Sequence, residues 1–172
     1  MRRTLTAAAT AVALLAGLAG CSNSSPASST GSGKGNAAAS RPLTASTAFT
    51  RLSSKVASAK LSGTVTAATD PNHLLGRPGQ YTSKVTFTDS RIKAADVEGT
   101  KEGDVDRGGA VEVFADQAAA QARAKYVQAV TKSLPAAAEY DYVHGSVLVR
   151  VSHYLTPAQA AAYKTATNGL GE

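Results

Sequence analysis

Glu139-Tyr140-Asp141-Tyr142-Val143-His144-Gly145-Ser146-Val147-Leu148-Val149-Arg150-Val151-Ser152 alternates in character on both sides of a glycine, and the architecture expected of the chain follows from it. Successive side chains of a strand point to opposite faces, so Tyr140 and Tyr142 share one face. With His144-Gly145 as a two-residue turn, strands 139–143 and 146–152 pair as a hairpin. Val143 then faces Ser146, Tyr142 faces Val147, Tyr140 faces Val149 and Glu139 faces Arg150. Aromatic and β-branched residues meet on a core face and opposite charges on a wet face, which makes the register chemically consistent.

After the hairpin, Thr156-Pro157 opens a helix to about Thr167, with Ala160 and Tyr163 inward. Before it, Val111, Val113 and Ala115 alternate with Glu112 and Phe114 in a strand that runs into Asp116, a good helix cap. In the helix from Gln117 to Lys132, Ala119, Ala122, Tyr126, Ala129 and Val130 share one side, and Gln121, Lys125, Gln128 and Lys132 the other. Further upstream, Tyr81, Ser83, Val85 and Phe87 form one face of a half-exposed strand from Tyr81 to Thr88. Gly63 opens a short strand, Thr64 to Thr69, and Ser46 caps a first helix with Phe49, Leu52, Val56 and Ala59 at helical spacing. The order helix, strand, strand, strand, helix, hairpin, helix implies a single α+β domain over residues 46–172. Its sheet is expected to be largely antiparallel, with the helices packed on one face.

The residues before that domain read as an address. Met1-Arg2-Arg3 is a short cationic head, an uncharged Ala- and Leu-rich run follows from Leu5 to Ala16, and small residues lead to Cys21. That is the layout of a secretory signal peptide over residues 1–20, too short in its apolar run for a bilayer span. Leu18-Ala19-Gly20-Cys21 resembles the lipobox of bacterial lipoproteins at all four positions. The resemblance implies that Cys21 is diacylated and becomes the new N-terminus, two acyl chains being what stable anchoring takes. Cys21 is also the single cysteine, which excludes an intramolecular disulfide. Residues 21–45 are then the lipidated Cys and a Ser/Gly/Ala linker whose composition suits a flexible tether.

Removing Arg2 and Arg3 with the signal lowers the formal charge from +6 to +4. The positive residues are dispersed and no recognition motif accompanies them, so no nucleic-acid partner is expected. The expected partners are membrane lipid through acylated Cys21 and an envelope protein or wall polymer. No nucleotide, metalloprotease or acyl-transfer fingerprint occurs, and no cofactor or metal is expected. Asp104-Val105-Asp106-Arg107-Gly108-Gly109 looks superficially like a calcium loop. It lacks the ligand at its fifth position and has Ala115 where the bidentate Glu belongs. The polar stretch from Asp89 to Arg107 is expected to be a solvated loop.

The most unusual stretch of the domain is Asp70-Pro71-Asn72-His73-Leu74-Leu75-Gly76-Arg77-Pro78-Gly79. Asp70 suits a helix N-cap, Pro71 the first helical position and Gly76 a left-handed exit after about one turn. Two readings stand. In one the stretch is a stiff connector with Leu74 and Leu75 in the core. In the other it is a binding loop presenting Asp70, Asn72, His73, Arg77 and Tyr81.

Three segments together carry a wider likeness: Asp70-Pro71-Asn72-x-Leu74-Leu75-Gly76-Arg77-Pro78-Gly79-x-Tyr81-Thr82-Ser83-Lys84, Gly108-Gly109-x-Val111-Glu112-Val113-Phe114, and Glu139-Tyr140-x-Tyr142-x-His144-Gly145-x-Val147-Leu148-x-Arg150. Over most of residues 61–165 the chain resembles small, uncharacterised actinobacterial lipoproteins of the Streptomyces type. The resemblance implies lipid anchorage in an actinomycete envelope and carries no substrate with it. The expectation is a non-enzymatic binding or accessory module at the outer face of the cytoplasmic membrane. The alternatives are a small envelope hydrolase using His73 with Asp70, and a solute-capturing lipoprotein of a transporter.

Overall fold

A computed structural model describes residues 42–170. The expected signal peptide, Cys21 and the tether up to residue 41 lie outside the described residues. Three helices, α1 (Ala45–Lys55), α2 (Gln117–Ser133) and α3 (Pro157–Thr167), accompany five strands, β1 (Ala59–Thr64), β2 (Ser83–Asp89), β3 (Gly108–Val113), β4 (Glu139–His144) and β5 (Val147–Ser152). The strands form one sheet in the order β1-β2-β3-β5-β4, and every neighbouring pair is antiparallel. The α+β class and the antiparallel sheet are those the hairpin pattern implied.

The helices, however, divide between the two faces instead of sharing one. Val85, Phe87, Val111, Val113 and Val149 face α1 and α3 in the larger core. There Phe87 stacks between Phe49 of α1, centroids 5.6 Å apart, and Tyr163 of α3, 5.4 Å apart. Ala160 and Tyr163 are buried as expected. The ring of Phe87 lies over Gly109, where an added Cβ would collide with it and with the Arg150 carbonyl oxygen; only glycine lets the strands close there. Tyr163 ends the stack with its hydroxyl, which donates to Asp89 Oδ2 at 2.6 Å. The Arg91 side chain donates to Asp89 Oδ1 at 2.9 Å. Burial alone would raise the Asp89 pKa, but the Arg91 and Tyr163 donors outweigh it and hold it at about 2. The second core, on the opposite face, joins Tyr81, Phe114 and Leu148 to Ala120 and Ala124 of α2.

Several boundaries differ from the sequence pattern for local reasons. The cap of α1 is Thr44, not Ser46, in a reciprocal capping box with Thr47, and the helix stops at Lys55 so that Val56 and Ala59 reach the core from the turn and strand beyond it. The first strand is Ala59–Thr64, interrupted by a bulge between Leu61 and Gly63. Residues 65–69 belong to the following loop. β2 begins at Ser83, and the chain turns before it, so Tyr81 enters the α2-side core and not the face of Val85 and Phe87. The hairpin turn is Gly145-Ser146: His144 pairs with Val147 and Tyr142 with Val149. This displaces the expected register by two residues, one on each strand, and therefore leaves every side chain on its expected face.

On α2 the buried stripe is Ala120, Arg123, Ala124 and Val127, next to the more apolar stripe that the sequence favoured. Tyr126 and Val130 stay exposed. What turns the helix is the charge on the sheet beneath it.

Candidate functional site

The face of the sheet beneath α2, expected to be wet, is a buried charged layer. Lys84 on β2, Glu112 on β3 and Arg150 on β5 point the same way, and Glu112 is fully buried. Lys84 Nζ lies 3.2 Å from Glu112 Oε1, Arg150 Nη1 3.3 Å from the same oxygen, and Arg123 Nε of α2 3.2 Å from Oε2. Burial would raise the pKa of Glu112, and the three cations more than reverse this, holding it below the usual carboxylate range. Arg150 also forks onto Glu139, Nε–Oε1 2.7 Å and Nη2–Oε2 2.8 Å. The expected Glu139–Arg150 pair thus forms, diagonally across the hairpin, with Asp141 directly opposite Arg150 in the ladder.

Asp141 is the odd member. Both its carboxylate oxygens are buried, and among the described residues neither has a hydrogen-bond partner. Burial first, and the neighbouring Glu139 charge second, push its pKa well above the ordinary range. A raised carboxyl pKa favours the folded state at low pH and loses that contribution as pH rises from about 4 through the folded value. Asp141→Asn is therefore expected to melt at a higher temperature than the wild type near pH 8, with the difference shrinking toward about pH 4. Thermal unfolding followed across that range checks it, and a variant that is less stable at every pH contradicts it.

Above this layer, between α2, the 70–81 loop and the short turn at Val105–Arg107, lies a cavity of about 460 Å³. Its polar lining includes Asn72, Lys84, Asp106, Arg123, Glu139 and Arg150, and its apolar lining Tyr126, Val127 and Val130. A second cavity of about 390 Å³ toward β1 shares Pro71, Lys84, Gly103 and Asp104 with it. Lys84 thus stands at the divide between the two. The donors are unevenly committed. Arg150 uses three of its nitrogens on carboxylates. Arg123 uses only Nε, and its two terminal nitrogens make no hydrogen bond among the described residues.

The 70–81 loop is organised by its first residue. Asp70 caps no helix; its buried carboxylate accepts from the backbone N–H of Asn72 (3.2 Å), Leu74 (2.8 Å) and Leu75 (2.9 Å) and from the Tyr81 hydroxyl (2.7 Å). Burial opposes ionisation of Asp70, while the Tyr81 hydroxyl and these amides hold its pKa below the ordinary value. Wrapping the chain so tightly requires left-handed backbone at His73 (φ 52°), Gly76 (φ 76°) and Gly79 (φ 71°). Leu74 and Leu75 pack against the second core, as the connector reading has it. Of the five residues proposed for a binding loop, Asp70 and Tyr81 are thus buried partners of one another. Asn72, His73 and Arg77 are exposed, and Asn72 alone of the five reaches the cavity.

The acidic stretch before β3 forms the cavity's far rim. Asp104 Oδ2 accepts from the Lys101 N–H at 2.7 Å, and Asp106 lies 3.7 Å from His153. Among the described residues no group of three His, Cys, Asp or Glu side chains is placed to hold a metal ion. Lys84, Glu112 and Arg123 are the residues that sequence reasoning missed. The available signal was a charged residue on the same face of each of three strands that pair in turn: Lys84 faces Glu112 across β2–β3, and Arg150 lies one diagonal step further on β5. Comparison of the chain with known protein families, curated proteins and solved structures finds no match.

Proposed function

We propose that this protein is a lipid-anchored, non-enzymatic binding module held at the outer face of the cytoplasmic membrane by acylated Cys21, and that it takes its ligand in the cavity beneath α2. The observation that supports binding there is Arg123, whose guanidinium lines a concave site while its terminal nitrogens remain uncommitted. The cavity has the size of a small-ligand site, roughly 300–1,000 Å³, with a few convergent polar groups beside an apolar wall. Such a site suits a fragment of a wall polymer, or a side chain of an envelope protein, inserted from outside. The anchor rests on the Leu18-Ala19-Gly20-Cys21 sequence and on the likeness to actinobacterial lipoproteins. The hydrolase alternative is weakened by Asp70, whose carboxylate is committed to four donors of its own loop and is not positioned to serve His73 as a base.

In-cell crosslinking of the full-length protein, followed by mass spectrometry, tests this reading, with Cys21→Ser and the cavity-filling Ala137→Trp as comparisons. The expected result is a specific adduct that requires Cys21 and disappears when the cavity is filled. An identical adduct pattern in all three chains counts against the cavity. A turnover activity abolished by His73→Ala would restore the hydrolase.

A further inference from the structure

The cavity beneath α2 is lined by charges of both signs. Lys84, Arg123 and Arg150 supply the cations, and Asp104, Asp106 and Glu139 the carboxylates. Most of them are already engaged. Lys84 and Arg150 are held by Glu112, Glu139 by the Arg150 fork, and Asp104 accepts from the Lys101 N–H. Two are left over. The Nε of Arg123 donates to Glu112, and the Tyr126 ring centroid lies 5.7 Å from the guanidinium carbon. The Arg123 side chain, 8% exposed, is thus fixed while its terminal nitrogens make no hydrogen bond among the described residues. Asp106, on the turn before β3, is the other. Its backbone carbonyl accepts from the Ser152 hydroxyl, but among the described residues its carboxylate accepts no hydrogen bond. The nearest base, His153 Nδ1, stops at 3.7 Å, beyond hydrogen-bond length. Arg123 and Asp106 form no ion pair with each other. They face the same cavity from separate walls, one on the helix and one on the turn.

We propose that the cavity takes a dipolar ligand, a free amino acid or a short peptide with unblocked ends, whose carboxylate lies on the Arg123 fork and whose ammonium lies on Asp106. This rests on the reading of the cavity as the binding site. The terminal nitrogens of a guanidinium match the geometry of a carboxylate, which can accept from both at once. A charge withdrawn from water is costly unless it is paired, so a ligand that brings both counter-charges relieves Arg123 and Asp106 together. A ligand of one sign cannot. An anion placed on Arg123 leaves Asp106 unpaired and lies among three carboxylates, and a cation placed on Asp106 lies among three cations. The remaining wall, Tyr126, Val127 and Val130, carries no charge and suits a small apolar side chain between the two ends. A site that holds polar groups in readiness rejects an analogue that fails to pair one of them. Both ends of the ligand are therefore required.

The full-length chain in detergent micelles is titrated calorimetrically with alanine, alanylalanine and trialanine, which set the two charges progressively farther apart. The N-acetylated and C-amidated forms of whichever binds best follow. Saturable binding is expected for at least one of the three, lost in Ala137→Trp and weakened about tenfold or more by blocking either end, the scale of one charge-assisted hydrogen bond. Two variants then separate the ends. Asp106→Asn should weaken the unblocked ligand as much as acetylation does, and leave the acetylated form unaffected. Arg123→Gln should stand in the same relation to the amide. Arg123 also holds Glu112, so if Arg123→Gln does not fold, Asp106→Asn decides, since its carboxylate has no hydrogen bond to lose. Equal binding of blocked and unblocked forms, lost in Ala137→Trp, overturns the dipolar assignment and leaves the cavity as the binding site. Binding that Ala137→Trp does not change overturns both. No binding of any of the three overturns the dipolar assignment, and the in-cell adduct then decides the cavity on its own.

Discussion

Glu112→Ala is expected to lower the unfolding free energy by about 3–5 kcal/mol, the range for removing one side of a buried ion network. The reason lies in what remains. Arg150 keeps its forked pair with Glu139, but Lys84 and Arg123, whose side chains are 6% and 8% exposed, lose the one carboxylate that faces them. Lys84 beneath α2 and Arg123 on it would then be left without a counter-ion in the lining of the cavity. Urea unfolding with a well-determined slope measures the loss. A cost below about 1 kcal/mol, the scale of an exposed pair, would show that the layer is solvated in solution and that Glu112 does not hold α2 down. The sign with pH follows from the depressed pKa of Glu112. Its contribution is complete above the ordinary glutamate value of about 4.3 and is lost as pH falls toward the folded value. Glu112→Ala should therefore differ most from the wild type near neutrality and least in acid.

Asp70→Ala is the second large effect, expected at about 3 kcal/mol. It removes the acceptor of three backbone N–H groups and of the fully buried Tyr81 hydroxyl, and an orphaned buried donor costs about 1–3 kcal/mol. The amides, in half-buried surroundings, can turn to water more readily than the buried Tyr81 hydroxyl. Tyr81→Phe separates these contributions and should cost only about 1 kcal/mol, since it deletes a donor and leaves the carboxylate three amides. Hydrogen exchange at Leu74 and Leu75 reads the loop directly: both amides should lose protection in Asp70→Ala and retain it in Tyr81→Phe. Equal protection in the two variants would mean that Leu74 and Leu75, packed on the core, hold the loop without the carboxylate.

How far the sequence carried the structure can be seen in the hairpin. The alternation around Gly145 determined which side chains share a face, because period two survives any even shift of register; it did not determine the turn, and Gly145-Ser146 replaced His144-Gly145. Capping was legible in Thr156 before Pro157, where the threonine side chain accepts from the Gln159 N–H, and in Asp116, which accepts from the Ala119 N–H. The site was scarcely legible. Glu112 between Val111 and Val113 has the pattern of a solvent-facing residue, and Lys84 among threonines likewise. Periodicity reports which residues differ from their neighbours, and it cannot say that a second helix covers the polar side. That helix has two candidate stripes, and the choice between them was made by an arginine: only the stripe containing Arg123 brings a cation to Glu112. Asp70 was recognisable as a capping residue, but its donors come from a closed loop and not from a helix, and no local rule distinguishes the two.

The outer strands of the sheet are β1 and β4, and each leaves a row of backbone donors and acceptors with no neighbour in the sheet. Molecules crowded at high local density could in principle extend one another's sheets through such rows, the first step toward fibrous aggregates. Both borders are poor templates for it. On β4, Glu139 and Asp141 stand on one face, so an incoming strand would have to lay its own side chains beside two carboxyl groups, one of them already short of partners. On β1, the bulge between Leu61 and Gly63 breaks the even spacing that a new strand would need. The misfit of Asp141, which costs the isolated domain stability, thus also discourages its copies from polymerising edge to edge.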